Sequence, residues 1–256
     1  MASFETASER EPFKRSYETT DNVQIDIESQ QEVPLHPAMS ATENMLRWGF
    51  VRKVYGIISA QLLLTCCTAS LFIFNKPVND FATQSTVFQV AMFILPLIGL
   101  IPLYIYQKKH PTNLIILGLW TMSISTSVGM ACSFYQPLIL LEAVVLTASI
   151  VAGLTAYTFY ASRKGHEFGF MGPTLFLGLW SILAWSFLQF FFPPGPVQST
   201  IFALLGALLF SGYIVYDTWM LIQKYDLDEY IWASVNLYLD IINLFLKILQ
   251  LLSRRD

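Results

Sequence analysis

Two aspartates lie inside strongly apolar stretches near the carboxyl end of this 256-residue chain. Asp217 stands in the segment GYIVYDTWMLIQ, and Asp240 stands in YIWASVNLYLDIINLFLK. An acidic side chain at the centre of a membrane helix costs roughly 2.5 to 3.5 kcal/mol on insertion scales, and such residues are functional candidates by default. Asp217 and Asp240 are therefore the predicted functional site.

Two carboxyl groups that meet in a poorly solvated site cannot easily both be ionised, so they are expected to titrate as a coupled pair. A shared proton would hold their helices together, and its loss would push them apart. Hard cations prefer oxygen ligands, which Asp217, Asp240, Asn236 and Asn243 offer. The predicted chemistry is pH-dependent gating of Ca²⁺, with both aspartates as candidate metal ligands and both asparagines in support. A hydrogen-bonded clamp without a transport role is the structural alternative.

The elements that carry these residues are apolar runs long enough to cross a bilayer. The chain is 54% hydrophobic and 13% charged, with a mean hydropathy of +0.51, which indicates an integral membrane protein. Each crossing needs about 20 apolar residues. Seven runs meet that length: 54–74, 85–106, 113–134, 138–161, 171–191, 200–222 and 230–252. The sequence predicts an all-α integral membrane protein with seven transmembrane helices.

The seventh run differs from the others because its polar residues recur at helical spacing. They are Glu229, Asn236, Asp240, Asn243, Lys247 and Gln250. At about 100° per residue these positions occupy one narrow arc, and a polar stripe of this length cannot face lipid. The last helix is therefore predicted to be central. In the sixth run, Gly206, Tyr213 and Asp217 share a face by the same spacing, which aims Asp217 at the same interior.

The positive charges predict the orientation. Eight of them fall on the amino-terminal side of the runs: Arg47, Arg52, Lys53, Lys108, Lys109, Arg163, Lys164 and Lys224. Short cytoplasmic loops are enriched in such residues, so the amino terminus is predicted to be cytoplasmic. Arg254 and Arg255 oppose a full seventh crossing, which leaves a re-entrant last helix as the alternative to the favoured full crossing.

The first 46 residues hold nine acidic and three basic residues and few apolar ones. They are predicted to be a disordered acidic cytoplasmic tail, with 47–256 as the membrane domain. Within the membrane domain, Glu142 is the remaining acid inside a run, near the non-cytoplasmic face, where it would guard an entrance or serve as an interfacial glutamate. Small residues in the third run predict a close helix contact, and Pro96 and Pro102 predict a kink in the second.

Four stretches carry a family resemblance. They are FVRKVYGIISAQLLLT from Phe50, LEAVVLTASIVAGLTAYT from Leu141, GYIVYDT from Gly212 and DEYIWASVNLYLDIINLFLKIL from Asp228. With the span count, the chain resembles the transmembrane Bax inhibitor motif family, in its lifeguard and Golgi anti-apoptotic protein branch, over about residues 47–253.

The resemblance implies a seven-helix fold, a pH-sensitive calcium leak and suppression of cell death from Golgi or endoplasmic reticulum membranes. It maps the family's paired aspartates onto Asp217 and Asp240 and its fourth-helix glutamate onto Glu142. The family's arginine partner near the end of the second helix has no clear match here. Lys108 and Lys109 stand near that position and are the candidate basic partners, although a lysine is a point charge and not a bidentate fork.

The expected partners are membrane lipid and Ca²⁺ as the transported ion, with cell-death regulators or calcium-release channels as candidate protein partners. No cofactor and no nucleic acid are expected. An intramembrane aspartyl protease is the enzymatic rival, because it also carries aspartates on its sixth and seventh helices. Its second motif needs glycines before the aspartate, whereas Leu237, Tyr238 and Leu239 precede Asp240, so no enzyme is predicted. A non-conducting membrane scaffold that regulates cell death through protein partners is the alternative function.

Overall fold

The computed structural model describes residues 34–253, and this part of the chain is helical, without β-strands. The helices are α1 (Ala41–Phe74), α2 (Lys76–Gln84), α3 (Thr86–Tyr106), α4 (Thr112–Cys132), α5 (Pro137–Arg163), α6 (Met171–Phe191), α7 (Pro196–Gln223) and α8 (Tyr230–Leu252). By length and composition, seven of them, all except α2, can cross a membrane. The predicted all-α fold with seven membrane-spanning helices is confirmed.

The start of α1 corrects the predicted domain boundary. Ser40 caps the helix by accepting a hydrogen bond from the Glu43 amide, and the Glu43 carboxylate accepts one from the Ser40 amide. Ahead of this cap Leu35 is fully buried, and its amide donates to Oδ1 of Asn44 over 2.8 Å. The prediction of disorder is therefore wrong for residues 34–46. The rest of the predicted tail, residues 1–33, lies outside the described residues.

α8 lies at the centre of the bundle. It packs against α1, α4, α5 and α7, while α3 covers α4 and α6 covers α7 from outside. A larger share of α8 is buried than of any other membrane-spanning helix in residues 34–253. The predicted central last helix is therefore confirmed.

The last helix also runs the full thickness of the bundle. Its first residue, Tyr230, contacts Asn113 at the start of α4, and its last turns line a pocket with Ala131 and Tyr135 at the other end of that helix. With 23 residues and about 1.5 Å per residue, α8 is roughly 35 Å long. The re-entrant alternative is wrong. The end where α8 begins is called the basic end here, and the other is called the opposite end.

The small residues of α4 allow the close contact that the sequence predicts. A Cβ atom on Gly129 would lie 2.7 Å from Cδ2 of Phe72 and 3.2 Å from the Cα of Ala69 on α1. Other turns of α4 hydrogen-bond to α1 and to α3. Glycine is therefore required at this crossing of α1 and α4, because any side chain would force the helices apart.

Pro96 interrupts the hydrogen bonding of α3, because proline has no N–H for the carbonyl four residues earlier. That carbonyl belongs to Met92, and it accepts a hydrogen bond from Oγ of Ser127 on α4 over 2.7 Å. One turn along, Nε1 of Trp120 donates to the carbonyl oxygen of Pro96 itself over 3.0 Å. Ser127 of α4 thus supplies the hydrogen bond that the Met92 carbonyl oxygen of α3 lacks because of Pro96.

Candidate functional site

Asp217 on α7 and Asp240 on α8 meet inside the bundle. Their side chains are only 9% and 7% exposed, and their carboxyl groups lie within hydrogen-bonding distance of each other. Two carboxylates have no hydrogen to donate, so a hydrogen bond between them requires that the pair holds a proton. The arrangement thus brings together two carboxyl groups of neighbouring helices, and a hydrogen bond between them would need a shared proton.

The Asp240 carboxyl group is not fully hydrogen-bonded by the described residues. Oδ2 of Asp240 is buried, and no N–H or O–H group of residues 34–253 donates to it. Asn243, one turn along α8, uses its Nδ2 atom on the carbonyl oxygen of Leu239 over 2.8 Å. The carboxyl group of Asp217 is a neighbour that can complete the bonding of Asp240 Oδ2, and a fully ionised pair would place two negative charges side by side.

The lengths of the helices set the depth of the pair. Asp217 lies six residues before the end of α7 at Gln223, which is about 9 Å along the axis. Asp240 lies ten residues after the start of α8 at Tyr230, which is about 15 Å. The pair is therefore nearer to the basic end of the bundle than to the opposite end.

A hydrogen bond connects α8 to the α7–α8 link between the pair and the basic end. Nδ2 of Asn236, one turn before Asp240, donates to the hydroxyl of Tyr225 over 2.8 Å. Tyr225 stands in the short link between α7 and α8, and Arg47 of α1 donates to its carbonyl oxygen. Burial, and then the nearby Asp217 carboxylate, raises the pKa of the Tyr225 phenol, so this hydroxyl stays neutral. Asn236 and Tyr225 together form a neutral cap over the aspartates.

The structure places the candidate basic partners away from the pair. The ammonium of Lys108 lies 2.9 Å from Oδ2 of Asp228, in the link between α7 and α8. Lys109 points its ammonium at the ring of Tyr106, 5.3 Å from the ring centre. The predicted lysine partner of the aspartates is therefore corrected, because Lys108 forms its ion pair with Asp228, which lies closer to the basic end.

Glu142 also lies apart from the aspartates. It stands five residues after the first residue of α5, near the opposite end of the bundle, and its side chain is exposed on the outer surface. It therefore takes no part in the carboxyl pair. Its position near the end of a span fits the interfacial glutamate that the sequence left as one reading.

Sequence reasoning missed a layer of polar side chains among α1, α4 and α8. The hydroxyl of Tyr238 lies 2.8 Å from Oγ1 of Thr65, which lies 2.9 Å from Oγ of Ser125. One turn away, Nε2 of Gln61 donates to Oγ1 of Thr121 over 3.0 Å. Helical spacing is the sequence signal that could have identified this layer. Each of α1 and α4 carries two of these residues four positions apart, which places them on one face of the helix.

The donor set does not form a closed metal cage. In the part of the chain that the structure describes, no group of three or more His, Cys, Asp and Glu side chains could hold a metal ion. Ca²⁺ takes six to eight oxygen ligands, and two carboxyl groups offer at most four. The aspartates therefore suit a cation that keeps much of its water, as a passing ion does, better than a permanently bound one.

A separate cavity of about 520 Å³ lies between α1, α5 and α8. Apolar side chains and a few hydroxyl and thiol groups line it, and no charged residue is among them. A desolvated cation would find no compensating charge there. This cavity is therefore not a suitable site for a desolvated cation.

Comparison with known proteins places these residues in a family context. The model of the Bax1-I family, described as inhibitor of apoptosis-promoting Bax1, matches residues 47–256. The chain is 51% identical to a BI1-like protein of Arabidopsis thaliana over 225 residues, which covers 88% of each chain. It is 44% identical to Protein LIFEGUARD 2 of the same plant, covering 92% of this chain and 99% of the relative. It is 40% identical to the Golgi anti-apoptotic protein of Vaccinia virus (strain Lister), covering 81% and 86%.

Proposed function

The chain belongs to the Bax1-I family of multi-pass membrane proteins, and on that basis we propose that it is a pH-sensitive calcium leak channel of internal membranes. By lowering stored calcium it would suppress cell death, the role that the names of its relatives indicate. The observation that carries the proposal is the buried carboxyl pair of Asp217 and Asp240, which joins α7 to α8.

The gate follows from the charge of that pair. With a shared proton the carboxyl groups attract each other and hold the helices closed. When the proton is lost, two anions face each other in a poorly solvated interior, and their repulsion favours separation of α7 and α8. The opened site then presents oxygen ligands to a divalent cation, which relieves the repulsion. Flux is therefore expected to rise with pH.

The location and orientation belong to the same proposal. A relative named Golgi anti-apoptotic protein favours the Golgi, with the endoplasmic reticulum as a second internal membrane. The basic end carries the lysines and arginines of α1 and of the α3–α4 and α7–α8 links, which favours the cytoplasm for that side. The aspartates would then lie nearer to the cytoplasm than to the lumen.

The test is Ca²⁺ flux from liposomes that contain the purified full chain, across pH 5 to 8. We expect a flux that rises with pH in the natural sequence. Asp217→Asn and Asp240→Asn each replace one carboxyl with a neutral amide that still donates a hydrogen bond, so both should give a low flux without pH dependence. Asp80→Asn, at an exposed position of α2, is the matched control and should keep the natural profile.

A folded natural protein with no flux above that of empty liposomes would refute the leak. That result would favour the second candidate, a non-conducting scaffold that regulates cell death through protein partners. In a scaffold the aspartates would only clamp α7 to α8, so neither asparagine variant would change ion permeability at any pH.

A further inference from the structure

Lys247 continues the face of α8 that carries Asp240. The two residues are seven positions apart, which is two helical turns and about 10.5 Å along the axis. The lysine lies toward the opposite end of the bundle, on the side of the aspartates away from the Tyr225 and Asn236 cap. An ion that moved along the α7–α8 interface from the aspartates toward the opposite end would therefore come close to this position.

α7 is shaped to accept the lysine side chain. A Cβ atom on Gly206 would lie 2.9 Å from Cδ of Lys247 and 3.0 Å from its Cε, so glycine leaves the room that the stem occupies. The ammonium lies 4.2 Å from the ring centre of Phe202 on the same helix. The stem thus fills the interface, and the charge is held against α7 by a cation–π contact.

The charge of Lys247 is not paired with an acid of the described residues. Within residues 34–253, no carboxylate lies at ion-pair distance from its ammonium. The residue also lines a pocket of about 500 Å³ at the opposite end of the bundle, together with Tyr135, Gln250 and Ser253. A charged residue inside a membrane helix is costly, and such residues mark ion pathways when they line a polar opening.

We propose that Lys247 is a positively charged barrier on the cation route, and that it keeps the calcium leak slow. The inference rests on the proposed function of the aspartate pair. Positive charge lining a route disfavours cations, and a divalent ion is repelled twice as strongly as a monovalent one. The aspartates then decide when the route opens, and Lys247 limits which cations cross it and how fast.

The charge dependence predicts the size of the effect. We take the axial separation of about 10.5 Å as the distance between the lysine charge and a divalent ion at the aspartates. Coulomb's law at the dielectric constant of water then gives about a fourfold change in ion occupancy, and a larger change at the lower dielectric constant of protein. For a monovalent ion the change is about twofold. Removal of the lysine charge should therefore raise Ca²⁺ flux at least about fourfold, and Na⁺ flux by clearly less.

The experiment compares four full-length proteins in liposomes at pH 8, by initial Ca²⁺ and Na⁺ flux. Lys247→Met keeps an unbranched side chain of similar length against Gly206, Lys247→Gln removes the charge with a polar side chain, and Lys247→Arg keeps the charge. We expect both uncharged variants to gain more Ca²⁺ flux than Na⁺ flux, and the arginine variant to match the natural sequence.

Each of the other possible outcomes contradicts the barrier or the calcium leak. The barrier is refuted if the natural protein shows flux and neither uncharged variant changes it. It is also refuted if both variants raise Ca²⁺ flux and Na⁺ flux equally, because a wider pore would not discriminate between ions by charge. Two uncharged variants allow the test even if one fails to fold. Absence of flux in all four proteins, with matching thermal unfolding, overturns the calcium leak and the barrier together.

Discussion

The ammonium of Lys108 lies 2.9 Å from Oδ2 of Asp228, and this ion pair joins the α3–α4 loop to the link between α7 and α8. Its hydrogen bond lowers the pKa of the Asp228 carboxyl and raises the pKa of the Lys108 ammonium. The link connects the two helices that carry the aspartates, and Arg47 holds the same link through the carbonyl oxygen of Tyr225. Two basic residues, Lys108 and Arg47, therefore anchor this link without contacting the aspartate pair.

The first prediction concerns the pH range of this ion pair. The contribution of Asp228 to stability is present above its ordinary pKa of 3.8 and is lost as pH falls through its lowered value in the folded protein. The contribution of Lys108 is complete below its ordinary pKa of 10.5 and is lost as pH rises through its raised value. Both groups therefore stay charged from pH 5 to 8.

Lys108→Met should consequently lower the melting temperature by a similar amount at every pH from 5 to 8. Any change in Ca²⁺ flux should also be uniform, so that the midpoint of the pH profile stays in place. Thermal unfolding in detergent and liposome flux measure the two quantities. A moved midpoint would show that Lys108 acts on the aspartate pair after all, as the sequence predicted.

The second prediction concerns the backbone acceptor that Pro96 leaves open. Ser127→Ala removes the hydroxyl that bonds the carbonyl oxygen of Met92 over 2.7 Å. Side-chain hydrogen bonds between membrane helices contribute about 0.6 kcal/mol on average and up to about 1.7 kcal/mol, so a loss of stability in that range is expected. Pro96→Ala restores a backbone N–H for Met92, so the serine change should cost less in that background. Equal costs in both backgrounds, measured by unfolding in detergent, would contradict this account.

The third prediction concerns the crossing of α1 and α4. Gly129→Ala places a methyl group 2.7 Å from Cδ2 of Phe72 and 3.2 Å from the backbone of Ala69, and overpacking of this kind costs about 1 to 3 kcal/mol. Gly118→Ala, on the same helix, meets no atom within 4 Å and should be neutral or slightly stabilising. Thermal unfolding of both variants tests the difference. Similar melting temperatures would mean that the two helices are not in close contact.

The fourth prediction concerns the polar layer around Tyr238. Tyr238→Phe keeps the edge-to-face contact with Trp120, whose ring centre is 6.0 Å away, and removes the hydroxyl bonded to Thr65. We expect the free energy of unfolding to fall by about 0.6 to 1.7 kcal/mol, and the pH profile of flux to stay unchanged. Combining it with Thr65→Val should cost less than the two single losses together, because both remove the same hydrogen bond. Additive losses would show that the two groups act independently.

Much of the fold follows from the sequence alone. The length of an apolar run decides whether it can cross a bilayer, and polar spacing decides which face of a helix must avoid lipid, so the seven spans and the central α8 were predictable. The depths of Asp217 and Asp240 follow equally from their distances to the helix ends. The start of α1 was missed because its first turns are polar and depend on the Ser40 cap and on burial of Leu35.

The neighbours of each polar side chain depended on tertiary structure. Periodicity assigns a residue to a face and a depth, but which helix covers that face depends on packing between segments far apart in the chain. Lys108 pairs with Asp228 across 120 positions, and Thr65 meets Tyr238 across 173. Glu142 lies on the outer surface although it falls in an apolar run. The side-chain carbons of Lys247 pack against Gly206. The sequence alone thus determined the spans and the aspartates within them, and helix packing decided what surrounds them.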